Sequence, residues 1–205
     1  MTKGGPPPPP PVVDGPPPAV TGLTFAGRLD WVRLFWTEPT VADYARTIVR
    51  LRNGATPPTW TTGVEAFSGK GSSYILYGLD PGITVSFTVW TEDTTGHRSA
   101  ARSGTVRGTD ITLTASAAAV RVGGKVTFTA KLRDAATAHA VTGTVSLFLR
   151  SPGSARWSWW KDVTVSGGTW RGSYLLRKSV EVMVKYAGTT NRFGAEAGPV
   201  RVSVR

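Results

Sequence analysis

The sequence contains no cysteine among its 205 residues. A disulfide framework, a thiolate metal site and a cysteine nucleophile are therefore excluded, and packing alone must hold the fold. Histidine is almost as scarce, because only His97 and His139 occur. We expect neither to be catalytic, since both lie in turn-like or loop-like segments and no Gly-x-Ser-x-Gly motif presents a serine nucleophile. Two isolated histidines also do not supply the ligand set of a zinc site.

Other chemical motifs are missing as well. Gly123-Gly124-Lys125 lacks the spacing of a phosphate-binding P-loop, and we predict a hairpin turn there instead. Glu92 and Asp93 are adjacent, so on a strand they face opposite sides and do not form the carboxylate pair of a glycosidase. We expect Asp93 to brace the turn that leads to Gly96. The sequence thus predicts a protein that is not an enzyme and that needs no cofactor and no metal.

Long apolar runs are absent too. No segment approaches the roughly 18 to 20 apolar residues that span a bilayer, so we predict no membrane span. Residues 1–11 hold glycine and proline where a secretion signal would need about 7 to 15 apolar residues. We therefore expect either a processed piece of a secreted protein, or a protein that leaves the cell on lysis, as a phage particle does.

Proline is concentrated at the start of the chain, where residues 3–18 read KGGPPPPPPVVDGPPP. Fixed φ angles and missing N–H donors exclude a helix and favour an extended polyproline II arm. We predict that residues 1–18 form this arm. It acts as a linker, as a ligand for an aromatic groove, or as an arm laid across a neighbouring subunit.

Positive charge is unevenly distributed. The formal net charge is +11; residues 1–109 hold 10 basic and 8 acidic side chains, whereas residues 110–205 hold 14 and 5. The second half should therefore be attracted to polyanions, such as wall polymers, nucleic acid or an acidic protein shell.

Residues 19–108 show short β-rich segments separated by turn residues, without a helical period. In the segment at 31–37, Val32, Leu34 and Trp36 share one face, which we predict to be buried. The same alternation predicts three outward aromatic side chains: Trp31, Phe35 and Trp90.

This first half contains Pro-Pro-Ala-Val-Thr-Gly-Leu at 17–23, Val-x-Leu-x-Trp at 32–36, Leu-x-Pro-Gly at 79–82, Phe-x-Val at 87–89 and Asp-x-x-Gly at 93–96. Through these motifs it resembles a fibronectin type III domain. The motif Val-Arg-x-Arg-x-Gly-Ala-Thr-Pro-Pro at 49–58 is similar to that of fibronectin type III domains in exported proteins of high-GC Gram-positive bacteria. Val85 stands where the family usually places its corner tyrosine, so that hydrogen bond is missing.

Residues 109–205 supply about seven further strands. Val126, Phe128, Ala130 and Leu132 alternate with basic and hydroxyl side chains, which predicts one buried face and one positive, wet face. The motifs Val-x-x-Gly-Gly-Lys-Val at 120–126 and Lys-Tyr-Ala-Gly at 185–188 resemble those of bacterial immunoglobulin-like repeats. The resemblances together imply an all-β chain with two tandem antiparallel β-sandwiches, the first fibronectin III-like and the second Ig-like, behind the proline-rich arm.

The densest aromatic cluster lies in the basic half. Trp157 and Trp159 share strand parity while Trp160 takes the other face, so at least one indole should be exposed. Exposed indoles beside cations can stack on sugars or bases and hold acidic groups. The alternative is that these indoles are core anchors or contact another protein. The candidate binding surface comprises Arg156, Trp157, Trp159, Trp160, Lys161, Trp170 and Arg171.

These features lead to two hypotheses for a non-catalytic binding or structural protein outside the cytoplasm. One is a virion accessory or decoration protein of an actinobacterial phage, partnered by capsid, tail or surface proteins and adhering to host envelope polymers. The other is a wall- or polysaccharide-binding spacer module of a secreted protein, partnered by an anionic cell-wall polysaccharide. Nucleic acid is disfavoured as a partner, because groove-reading helices and RNA-recognition motifs are missing.

Overall fold

The computed structural model describes residues 15–205, so the predicted proline-rich arm lies outside the described residues up to Asp14. The secondary structure of the described residues consists of strands without helices. This confirms the predicted all-β fold with two tandem sandwiches. Among these residues no helix is long and apolar enough to cross a membrane.

The N-terminal sandwich packs a three-stranded sheet, ordered β1-β2-β5, against a four-stranded sheet, ordered β4-β3-β6-β7. All pairings in these two sheets are antiparallel. Its strands are β1 (Thr21–Gly27), β2 (Trp31–Thr37), β3 (Tyr44–Asn53), β4 (Val64–Gly69), β5 (Ser73–Tyr77), β6 (Val85–Asp93) and β7 (Arg102–Val106).

The C-terminal sandwich packs a three-stranded sheet, β13-β10-β8, against a five-stranded sheet, β12-β11-β14-β15-β9. One pairing departs from the antiparallel expectation, because β9 lies parallel to the end of β15. Its strands are β8 (Thr109–Ala115), β9 (Ala119–Val120), β10 (Gly124–Asp134), β11 (Gly143–Arg150), β12 (Ser158–Val165), β13 (Thr169–Leu176), β14 (Val180–Tyr186) and β15 (Ala195–Val204).

Period-two alternation builds both cores, as the sequence predicts. Val32 and Leu34 are fully buried and Trp36 nearly so in the N-terminal sandwich. In the C-terminal sandwich, the predicted inward side chains of β10 are all fully buried. Burying each large apolar side chain contributes about 1.5 to 3 kcal/mol, so this alternation fixes which face of each strand points inward.

Trp90 lies on the outer face of β6 as predicted, but its side chain is buried there and not exposed. Trp60, from the segment between β3 and β4, packs edge-on against it with ring centroids 5.5 Å apart. The Arg98 guanidinium in turn lies 3.5 Å from the Trp60 ring centroid. A loop side chain thus covers the outer face of β6, and strand alternation alone does not reveal such a cover.

The turn after β6 is braced as predicted. The Asp93 carboxylate accepts hydrogen bonds from the backbone N–H groups of Thr95 and His97 and from the Thr95 hydroxyl. Burial acts to raise the pKa of Asp93, but these donors outweigh it and the pKa is lowered. Gly96 adopts a φ of 91°, which completes the turn.

Residues 187–194, which we call the seam loop, join the two sandwiches. The loop precedes β15, yet its Phe193 is fully buried in the core of the N-terminal sandwich. The Gly27 N–H donates to the Thr189 carbonyl at 2.9 Å, and the Phe193 N–H donates to the Arg107 carbonyl at 3.0 Å. The seam loop therefore fixes the C-terminal sandwich to its neighbour through backbone hydrogen bonds and a shared core side chain.

Candidate functional site

The tryptophan-rich strand β12 forms one edge of the five-stranded sheet. The register of its pairing with β11 is irregular at one point. Leu147 of β11 lies opposite Lys161, but the next residue, Phe148, lies opposite Trp159. Trp160 is therefore an extra residue, and such a β-bulge locally redirects the side chains of its strand. The bulge leaves Trp159 on the outer face while Trp160 packs against the core.

Trp159 is the exposed indole that the sequence predicts, with 62% of its surface accessible. Its Nε1–H donates to Asp162 Oδ1 at 3.1 Å, and the Ser146 hydroxyl donates to the same oxygen at 2.6 Å. The hydrogen bonds from Ser146 and Trp159 hold the pKa of Asp162 below its usual range, outweighing slight desolvation. The carboxylate therefore favours one orientation of this exposed ring.

The other predicted tryptophans have different positions. Trp157 lies before β12, and the Arg150 guanidinium lies 4.3 Å from its ring centroid. Trp160 packs edge-on against Tyr174, at a centroid separation of 4.4 Å, and against the core. Trp170 also packs against the core from β13. Two of the four predicted indoles therefore help to form the core.

The predicted cations are divided as well. Lys161 lies over the rings of Trp160 and Tyr174, with its Nζ 5.5 Å and 4.9 Å from their centroids. Arg156 is exposed in the loop before β12. Arg171 is exposed on β13, in the opposite sheet. The predicted set therefore does not form one surface.

An outer aromatic face emerges from the residues that remain together. Phe148 lies opposite Trp159 on one side and opposite Met183 on the other, so the three side chains form a row across β12, β11 and β14. Arg150 on the next outward position pairs with Glu181 at 2.7 Å. The outer aromatic face is defined by Trp157, Trp159, Phe148 and Met183.

This face continues into a groove at the junction of the sandwiches. The groove has a volume of about 370 Å³, and Phe148 and Lys185 line it opposite Trp31 of the N-terminal sandwich. The Trp31 ring lies 6.5 Å from the ring of Tyr77, which is itself exposed. Trp31, predicted as outward, thus lies half-buried beside the neighbouring sandwich.

Sequence reasoning missed Phe148 and the groove. Alternation in β11 could have placed Phe148 outward, since Leu147 is fully buried. The bulge at Trp160 and the seam loop that brings Trp31 close depend on long-range packing, which strand patterns do not encode. The cover that Trp60 provides over Trp90 depends on such packing as well.

Two cations at the outer aromatic face are each paired with an acid. Lys185 Nζ lies 2.9 Å from Glu196 Oε2, and Arg150 bonds Glu181. Within residues 15–205 no group of three or more histidine, acidic or cysteine side chains is placed to hold a metal ion. The arrangement can therefore stack on a ring-shaped or apolar ligand face without a strong charge preference.

Comparison with known proteins gives structural neighbours only. No family model matches the chain, and no curated protein matches it. A two-domain fibronectin type III segment of chicken tenascin is 14% identical, with a TM-score of 0.39 over 89% of this chain and 97% of that chain. The first three fibronectin domains of chicken contactin 1 are also 14% identical, with a TM-score of 0.31 over 93% of this chain and 67% of that one.

Proposed function

We propose that this chain is a non-catalytic binding module that holds a cell-wall polysaccharide on the outer aromatic face, outside the cytoplasm. The observation that carries the proposal is Trp159, an indole exposed over 62% of its surface whose N–H is fixed by Asp162. A large exposed ring with a defined orientation suits CH–π stacking on a sugar, and ordering it in advance reduces the entropy cost of binding.

The length of the aromatic surface supports an extended ligand. Trp159 and Phe148 lie in register on neighbouring strands, and Phe148 also lines the groove that Trp31 closes. Adjacent strands are about 4.8 Å apart, so this surface is longer than one sugar ring. A polysaccharide chain would therefore contact both sandwiches.

The charge pattern of this face favours an uncharged part of the polymer. Arg150 and Lys185 are each paired with a glutamate, so the face presents no excess of cations. Retention should consequently persist at high salt, where interactions between exposed charges are screened.

The test is retention of the protein on purified, insoluble bacterial cell wall at about 1 M salt, where the Debye length is about 3 Å. Stacking on an exposed aromatic ring contributes about 1 to 3 kcal/mol for a nucleobase, so we expect Trp159→Ala to weaken retention about fivefold or more. Leu175→Ala is the matched control, because Leu175 is 70% exposed in the opposite sheet. Equal retention of Trp159→Ala and wild type, or no retention of either, would overturn the proposal.

A virion accessory role in an actinobacterial phage is a second, more specific candidate. It is favoured by the position of Pro18, which lies at the end of the N-terminal sandwich that is remote from the C-terminal sandwich. There the Thr91 hydroxyl donates to the Pro18 carbonyl at 2.7 Å. Attachment of the protein at this end would direct the C-terminal sandwich outward. Immunogold labelling of purified phage particles with antibody to this chain tests the role; unlabelled particles from a lysate that contains the protein would refute it.

A further inference from the structure

A second surface of the C-terminal sandwich carries charge of one sign. On the outer face of the three-stranded sheet, Thr129 lies opposite Arg171, and Lys131 follows two positions along β10. Lys125 lies on the same face near the far end of that strand. Residues on one side of a strand are about 6.8 Å apart, so cations line this face over about 20 Å.

The turns at the end of this sheet extend the positive surface. Arg121 precedes the turn into β10, while Arg177 and Lys178 follow β13. The Gly123 N–H donates to the Leu176 carbonyl at 2.7 Å, which holds the two turns together. We define the basic face by Lys125, Lys131, Arg171, Arg121, Arg177 and Lys178, all of which are exposed.

Acidic side chains do not neutralise this surface. In the described part of the chain, none of the six cations takes part in an ion pair. Four of the five acids in residues 110–205 bond groups elsewhere: Asp134, Asp162, Glu181 and Glu196. The fifth, Asp110, lies opposite Arg133 at the other end of the face.

Hydroxyl groups lie between the cations. Thr127 and Ser173 are neighbours across β10 and β13, with their oxygens 2.7 Å apart. Thr129 and Thr114 form the next pair across β10 and β8. Such groups donate hydrogen bonds to phosphate oxygens, while lysine and arginine supply the charge.

Aromatic rings are missing from the outer positions of this sheet. Trp170 and Tyr174 of β13 lie opposite Ala130 and Val126, which are buried, so both rings point to the core. The exposed large apolar side chain on the sheet is Leu175. A face without rings offers no platform for stacked bases, which disfavours single-stranded nucleic acid as its ligand.

We propose that the basic face binds a linear phosphodiester polymer of a polyol, independently of polysaccharide binding at the outer aromatic face. Regularly spaced phosphates meet the cations of β10 and β13, and the turns at the end of the sheet bind the continuing polymer. The two sites lie on opposite sheets of one sandwich, so a wall that contains both polymers would be held from two sides.

The experiment measures binding of the intact chain to poly(glycerol phosphate) over a range of salt concentrations. Removing one cation that pairs with a phosphate should reduce the slope of log K against log salt by about 0.7, the value for single-stranded polyanions. We expect Lys131→Gln with Arg171→Gln to reduce the slope by about 1.4, twice that value. The control is Arg52→Gln with Arg102→Gln, which removes the same charge from exposed positions of the N-terminal sandwich.

The outcomes separate this site from its alternatives. Equal weakening in the two double variants would overturn the proposal, because it would show a net-charge effect without a site. Tighter binding of a mixed-sequence single-stranded DNA of equal charge would overturn the choice of polymer. Trp159→Ala should leave poly(glycerol phosphate) binding unchanged, so failure of the polysaccharide proposal and failure of this one are distinguishable.

Discussion

Arg192 Nη1 lies 2.9 Å from Asp134 Oδ2, which ties the seam loop to the end of β10 across 58 residues of sequence. Burial acts to raise the pKa of Asp134, but hydrogen bonds from Arg192 and Thr137 outweigh it, and the pKa is lowered. A lowered carboxyl pKa stabilises the fold above the unfolded value of about 3.9, and this stabilisation is lost as the pH falls through the folded value.

We therefore predict that Asp134→Asn lowers the free energy of unfolding most at neutral pH. The difference from wild type should shrink below about pH 4, because protonation of Asp134 then removes from wild type the ion pair that the variant lacks at every pH. Urea denaturation at pH 7 and pH 3 measures this difference in the free energy of unfolding. Asp110→Asn, an exposed control, should change the free energy by about 0.5 kcal/mol or less. A pH-independent difference for Asp134→Asn would contradict the assignment.

Phe193→Ala should destabilise the N-terminal sandwich although the residue belongs to a loop of the C-terminal one. Its ring is fully buried in the N-terminal core, and Phe-to-Ala changes in cores cost about 3 to 5 kcal/mol. We expect denaturation to separate into two transitions, because the shared side chain no longer couples the sandwiches. Tyr77→Ala, which removes an exposed ring, should keep one transition. A single unshifted transition for Phe193→Ala would refute the coupling.

Gly188→Ala tests the close backbone approach at the seam. Gly188 has a φ of 84°, and a Cβ there would lie 2.6 Å from the Gly27 carbonyl oxygen. Both the positive φ and the clash with rigid backbone should lower stability. Gly153→Ala is the matched control, with a φ of 82° and open space around its position. If thermal denaturation shows equal losses for the two variants, backbone strain alone accounts for the effect.

Asp162→Ala should weaken polysaccharide retention less than Trp159→Ala, because the ring stays exposed but loses the acceptor of its N–H. Asp162→Asn keeps an acceptor oxygen and should restore most of the retention. Cell-wall retention at high salt measures both variants. Equal losses for Asp162→Ala and Asp162→Asn would show that the carboxylate acts through its charge and not by orienting Trp159.

Alternation predicted the parts of the fold in which each strand has one buried face. Phe128 and Leu34 were assigned to cores correctly, since a strand determines side-chain direction locally. The cover over Trp90 was not predictable in this way, because it depends on Trp60, which lies 30 residues earlier. The burial of Phe193 depends on contact between two sandwiches, and no period in the sequence describes such a contact.

The candidate site was predicted only in part for a related reason. The sequence indicated that one indole in the tryptophan-rich segment must be exposed, and Trp159 is exposed. It did not indicate that Trp160 is an extra residue in its strand, which depends on the register with β11. One inserted residue reverses the strand parity after Trp160, so Lys161 lies over the Trp160 ring and not beside Trp159 on the outer face.

The seam also determines how the molecule would respond to tension. Both β1 and β15 have one end at the seam loop, because Gly27 bonds Thr189 and the Gly194 N–H donates to the Arg28 carbonyl. The strand β1 reaches the seam at Gly27 and β15 leaves it at Ala195, so Pro18 and Arg205 lie on the sides of the two sandwiches that face away from the seam. A pulling force between these residues would load the hydrogen bonds of β1 and β15 in shear, where many bonds must break together. A chain under such tension would keep the outer aromatic face and the basic face folded.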